Sequence, residues 1–161
     1  MNALQPLKFH KILVPVDESR PSHNSLAVAA GMARGSEATV VLAHVAEMSY
    51  SQDRDEMLAT YGEHTVEDFR KYGENLLKST AESETFSGLE VETETLFGDP
   101  ARSLLDLAER AHIDAIVMGS HGRGTWGTML MGSVSQRVVH EAKVPVVIVP
   151  PHLERAEEVN S

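Results

Sequence analysis

Apolar residues along this chain fall into two kinds of segment, and the two kinds alternate. Ile12-Leu13-Val14-Pro15-Val16 runs with no polar interruption, the pattern of a short strand buried on both faces. It ends at Asp17-Glu18-Ser19. Ser22 is then placed to cap a helix beside Pro21, with Leu26, Ala29, Ala30 and Ala33 as its apolar stripe and Gly35 as its expected stop. Thr39 to Val45 predicts a second buried strand. After a long polar loop, helical spacing returns from about Glu63 to Ser83 through Val66, Phe69, Tyr72, Leu76 and Leu77.

Further along, Glu90, Glu92 and Glu94 alternate with Leu89, Val91, Thr93 and Thr95, which predicts a half-exposed strand at a sheet edge. Gly98-Asp99-Pro100 turns the chain, with Asp99 as the cap of the next helix and Pro100 in its first turn; Leu104, Leu105, Leu107, Ala108 and Ala111 are its buried stripe. Ile113 to Met118 predicts strand four, Ser133 to Ala142 a last helix carrying Val134, Val138 and Val139, and Val146 to Val149 strand five. Strands separated by helices in this way predict an α/β fold, a single domain built on an open parallel sheet with helices on both faces. Such sheets take ligands beyond the carboxyl ends of their strands, at a topological switch point, so chemistry is expected where Asp17 and Gly119 stand. The organisation read from the chain is an extension over 1–8, the domain over 9–150 and a polar tail over 151–161.

Composition narrows the function classes. With 161 residues, 42% hydrophobic and 24% charged, the chain suits one ordinary soluble domain. It has no cysteine, which excludes thiol catalysis, thiolate metal sites and a disulfide scaffold and agrees with a cytoplasmic location. Met1 to Lys11 contains no sustained apolar run, so no targeting segment is expected, and the longest apolar stretches are far short of the roughly 20 residues that span a bilayer. A formal net charge of -10 argues against a nucleic-acid or anionic-membrane partner. The acidic excess lies between Glu47 and Asp99, whereas from Gly119 to Pro150 the bases Arg123, Arg137 and Lys143 face only Glu141. A small anion is least repelled there.

That same region holds the sharpest motif, Gly119-Ser120-His121-Gly122-Arg123-Gly124-Thr125-Trp126-Gly127, between a buried strand and a helix opening near Gly132-Ser133-Val134-Ser135. Glycines let backbone amides approach phosphate oxygens, and a helix N-terminus adds unpaired N–H groups and a favourable dipole. Ser133 and Ser135 offer hydroxyl donors and Arg123 a cation. A plain strand-to-helix connection would also account for the glycines alone. No Gly-x4-Gly-Lys-Ser/Thr phosphate loop and no Gly-x-Ser-x-Gly nucleophile elbow is present, and the eight histidines do not pair at zinc-site spacing. His44, at a strand end, reads as a hydrogen-bonded structural residue. The acidic stretch from Glu47 to Glu84 reads either as a solvated flap or as a lid.

The spacing Gly119-x2-Gly122-x9-Gly132-Ser133 resembles the nucleotide signature of the ATP-binding branch of the universal stress protein family. The likeness extends from about Phe9 to Pro150, through Lys11-Ile12-Leu13-Val14-Pro15-Val16-Asp17, Leu42-Ala43-His44-Val45, Gly98-Asp99-Pro100, Asp114-Ala115-Ile116-Val117-Met118-Gly119 and Val144-Pro145-Val146. The resemblance implies a Rossmann-like fold of the adenine nucleotide alpha hydrolase type, with strand order 3-2-1-4-5. It implies that Pro15, Val16 and Asp17 meet adenine and ribose and that Val45 supplies the backbone edge that reads adenine. Gly119, Ser120, His121, Gly122, Arg123, Gly124 and Thr125 would wrap ribose and phosphates, and Gly132, Ser133 and Val134 would hold the terminal phosphates. It further implies ATP as ligand and a homodimer formed by antiparallel pairing of the strand Val146 to Val149; a magnesium or manganese ion, if bound, is expected to be held largely by the phosphate oxygens. The expected role is that of a nucleotide-holding regulator in a stress response, acting on a protein partner that the sequence does not name. Without a phosphate-loop lysine, hydrolysis is expected to be slow at most. A slow metal-dependent ATPase and a partner-binding dimer scaffold with a vestigial site remain open at this point.

Overall fold

The computed structural model describes residues 6–17, 20–47, 54–120 and 131–152. Five strands, β1 (Lys11–Pro15), β2 (Thr39–Glu47), β3 (Val91–Gly98), β4 (Ala115–Gly119) and β5 (Val146–Val149), form one sheet in the order β3-β2-β1-β4-β5. Every neighbouring pair is parallel. The helices are α1 (Arg20–Ser36), α2 (Arg54–Tyr61), α3 (Glu63–Ala81), α4 (Pro100–Arg110) and α5 (Ser133–Glu141). The expected fold class and strand order are those observed.

Because side chains alternate across a strand, each apolar run supplies two cores at once. Ile12, Val14, Val40, Leu42 and Val117 pack with Leu26, Ala29, Ala30 and Ala33 of α1 and Leu77 of α3. Leu13, Val41, Ala43, Ile116 and Met118 pack on the other face with Leu104, Leu107 and Ala108 of α4 and Val138 of α5. Helices α1 and α3 thus cover one face and α4 and α5 the other, which reverses the winding between β1 and β4.

Four local details differ from the sequence expectation. Helix α1 begins at Arg20, so Ser22 lies inside its first turn instead of capping it; Pro21 fits there because first-turn N–H groups have no intrahelical acceptor. Gly35 does not end that helix. Glu37 takes the left-handed conformation (φ 56°), and Ala38 N–H closes onto Ala33 O. Part of the expected polar loop is helix α2, whose Leu58 and Tyr61 pack with Val66 and Phe97 in a small apolar cluster. Strand β3 runs on to Gly98, whose φ of 111° turns the chain into Asp99, a conformation that a Cβ would strain.

The two sheet edges differ. On β3, Glu92 pairs with Lys11 at 2.9 Å and Glu94 with Arg110 at 3.3 Å. Strand β5 carries Val146, Val147 and Ile148, all half-buried, and buried Val149.

Candidate functional site

Strand β1 is paired to β4 over Ile12↔Ala115 and Leu13↔Ile116 only. On its other side it stays paired to β2 as far as Pro15↔Ala43, and β4 stays paired to β5 as far as Gly119↔Val149. The sheet therefore parts between its two central strands at their carboxyl ends. The next residues lean outward in the same sense: Val16 N–H donates to Ala43 O at 2.8 Å, and Ser120 N–H donates to Val149 O at 3.0 Å. Pro15, Val16 and Asp17 flank one side of this parting, and Gly119 and Ser120 flank the other. Val16 and Ser120 are buried, while Pro15, Asp17 and Gly119 are half-buried.

Helix α5 starts at the same place. Gly132 N–H donates to Ser120 O at 2.8 Å, and the hydroxyl of Ser135, which is buried, donates to Gly119 O at 3.0 Å. These bonds bring the two ends of the glycine-rich segment together at the tip of β4. The N-cap of α5 is Gly132, with no side-chain cap, in contrast to α4, where Asp99 Oδ1 accepts from Arg102 N–H at 2.8 Å. The start of α5 thus presents backbone donors that no cap side chain satisfies. Ser133 is exposed and Val134 half-buried there.

Of the expected site residues, the structure brings Pro15, Val16, Asp17, Gly119, Ser120, Gly132, Ser133 and Val134 to one end of the sheet. Val45 stands one strand away on β2, half-buried. His121, Gly122, Arg123, Gly124 and Thr125 lie outside the described residues. Ser135 corrects the sequence reading, since its hydroxyl is turned inward to a carbonyl. The positive surplus is also smaller than the residue count implied. Arg137 donates to Asp99 Oδ1 at 2.8 Å and to Glu141 Oε1 at 3.0 Å, and Lys143 pairs with Glu109 at 3.1 Å. The hydrogen bond to Glu141, together with the charges of Asp99 and Glu141, raises Arg137 above the ordinary guanidinium value, so it remains a cation engaged with its own carboxylates.

His44 is 8% exposed, and its Nδ1 lies 3.0 Å from Val16 O. A carbonyl only accepts, so Nδ1 carries the hydrogen and donates. The histidine is hydrogen-bonded, as expected. Its place beside the parting was not visible in the sequence, where only its strand-end position signalled anything. Among the described residues, no group of three or more His, Asp or Glu side chains is placed to hold a metal ion, and no helix is long and apolar enough to cross a membrane.

An open α/β domain, doubly wound and parted at its switch point, is the kind of fold whose ligands, where it has them, sit at the carboxyl ends of the strands. Residues 8–150 match the model of the universal stress protein family, and the chain belongs to that family. It is 30% identical to the universal stress protein YxiE of Bacillus subtilis over 146 residues, covering 88% of this chain and 99% of that one. The solved structure of MJ0577, whose curated sequence is from Methanocaldococcus jannaschii, superposes with a TM-score of 0.78 at 23% identity, covering 92% of this chain and 100% of that one. A universal stress protein of Archaeoglobus fulgidus in complex with dAMP superposes with a TM-score of 0.60 at 23% identity, covering 89% of this chain and 99% of that one.

Proposed function

We propose that the chain is a cytoplasmic ATP-binding regulator that holds its nucleotide in the parting between β1 and β4. The observation that carries the reading is the coincidence, at that parting, of an open switch point and a helix start capped only by glycine. Backbone donors at a helix N-terminus favour phosphate, and Gly132 to Val134 stand where the terminal phosphates would lie. Pro15 to Asp17 take the adenine and ribose end, Val45 reads the adenine edge, and Gly119 to Thr125 supply contacts to ribose and phosphates. The dAMP held by the Archaeoglobus relative supports an adenylate as the ligand class. In this reading magnesium or manganese is held by phosphate oxygens and water, and the protein keeps its ATP without rapid turnover.

The regulator acts as a homodimer. Ile116 N–H donates to Pro145 O and Ser120 N–H to Val149 O, so the carbonyls of Pro145, just before β5, and of Val149 at its end turn toward β4. By the alternation of a strand, Val146 and Ile148 turn their backbone groups away from it. An apolar edge with free backbone groups pairs readily with a second copy. Nucleotide state then changes the surface offered to a regulatory protein under stress.

The test is mass spectrometry of small molecules released from freshly purified protein, followed by calorimetric titration with ATP and magnesium. Recovered ATP or micromolar affinity is expected, with binding abolished in Gly122→Val, where a side chain blocks the approach of phosphate. A site that takes neither ATP nor AMP refutes the proposal.

A further inference from the structure

The parting of the sheet leaves a local problem on its β1 side. Past Leu13 the strand has no ladder partner in β4, and past Pro15 its register with β2 also ends. Val16 nevertheless stays against β2 by two bonds. Its N–H donates to Ala43 O, and its carbonyl accepts from the ring of His44. A side chain of β2 therefore supplies the next bond after the backbone register stops.

The ring that does this is itself held. Tyr72 of α3 meets it edge-on, with centroids 5.6 Å apart. Gly73 lets the helix backbone come down over it, so closely that a Cβ at 73 would stand 3.0 Å from His44 Cδ2. The register partner of His44 on β3 is Thr95, whose buried hydroxyl oxygen has no hydrogen-bond partner among the described residues. The imidazole is thus confined between α3 and the strand tips, and its one hydrogen bond among the described residues is aimed at Val16.

We propose that His44 is a positioning residue, which fixes the Val16 backbone against β2 and so holds open the adenine side of the parting. The inference rests on the reading that a nucleotide occupies that parting. Without the ring, the Val16 carbonyl loses its donor and the end of β1 relaxes, so the crevice no longer keeps its shape before ligand arrives. The cost appears as weaker binding, because order that was built in must then be supplied on association.

Two variants separate positioning from packing. His44→Leu keeps a buried side chain and removes the donor; His44→Asn keeps a donor whose amide nitrogen can occupy the place of Nδ1. Each is measured twice, by NMR hydrogen exchange of the Val16 amide in ligand-free protein and by calorimetric titration with ATP and magnesium. In His44→Leu, Val16 exchange is expected to quicken about tenfold and ATP affinity to fall about tenfold, the scale of one hydrogen bond, with the Leu13 and Val14 amides unchanged. His44→Asn is expected to remain within about threefold of the parent on both readings, less than one bond's worth. Parent-like exchange and affinity in His44→Leu overturn the proposal. So does a uniform quickening of all core amides, which marks a general stabiliser, or an asparagine variant as impaired as the leucine one. If the parent protein takes up no ATP, the nucleotide reading falls by itself, while Val16 exchange still decides whether the clamp exists.

Discussion

Glycine-to-alanine exchange should have opposite signs in two helices of this protein. Gly31 in α1 and Gly73 in α3 are both interior helical positions, where alanine is favoured over glycine by about 1 kcal/mol. At Gly31 an added Cβ meets nothing within 4 Å, so Gly31→Ala should realise that gain. At Gly73 the same atom would stand 2.7 Å from Thr95 Cγ2, 3.1 Å from Thr95 Oγ1 and 3.0 Å from His44 Cδ2. Neither neighbour is a flexible chain end: Thr95 is a short branched side chain on β3, and the His44 ring is bonded to Val16. Overpacking of this kind costs about 1–3 kcal/mol. The helix term cancels between the two variants, leaving Gly73→Ala about 2 kcal/mol less stable than Gly31→Ala, the middle of that range. For a chain of this size that is a separation of about 4–8 °C in thermal midpoint. Urea titration followed by circular dichroism, with heating scans on the same samples, measures both quantities. Equal stabilisation by the two substitutions would refute the close approach of α3 to the strand tips.

Asp99 both caps α4 and receives Arg137, so Asp99→Ala should lower stability by about 1–2 kcal/mol through the lost cap. Asp99→Asn keeps a capping oxygen and should lose much less; equal losses in the two variants, read by urea titration, would assign the effect to charge instead. Ile148→Pro removes a backbone donor that faces away from β4, where an edge strand tolerates proline. It should give a folded monomer by light scattering, and a dimer that persists would locate the interface elsewhere. Raising the pH from neutral through the lysine range should reveal no step in stability from Arg137. Its shift is upward, so its contribution is complete below the ordinary guanidinium value and is lost only as pH rises through the still higher folded value. Removing that step-free behaviour by Arg137→Lys, followed by alkaline urea titration, checks the assignment.

The strands were legible because burial on both faces leaves little choice of residue: β1 and β4 are nearly all aliphatic, and β3 betrayed its edge position by alternating glutamate. Asp99 and Pro100 marked α4 by the chemistry of capping. Helix α2 was not legible, since the apolar residues it packs among the described ones, Leu58 and Tyr61, make no stripe. Gly35 misled because glycine's freedom was unused there, while Glu37 tolerated the left-handed turn that closes α1. In the site, the glycine spacing located the end of β4 and the start of α5, but residue type could not tell an outward hydroxyl from an inward one. Ser133 and Ser135 look alike in a sequence; a two-residue step along a helix turns one toward solvent and the other into the Gly119 carbonyl. Charge counting failed for a related reason, because Arg137 and Lys143 spend their charge on Asp99, Glu141 and Glu109.

The unlike edges of the sheet also bear on how large an assembly can become. Growth of a strand-to-strand polymer needs two receptive edges on each subunit, one to join and one to extend. Here β3 offers glutamates tied to Lys11 and Arg110, and a second β3 brought alongside would set like charges against each other. If copies associate through β5, the proposed interface, the apolar edge among the described residues is used up, and a pair formed there has no such end from which a ribbon could lengthen.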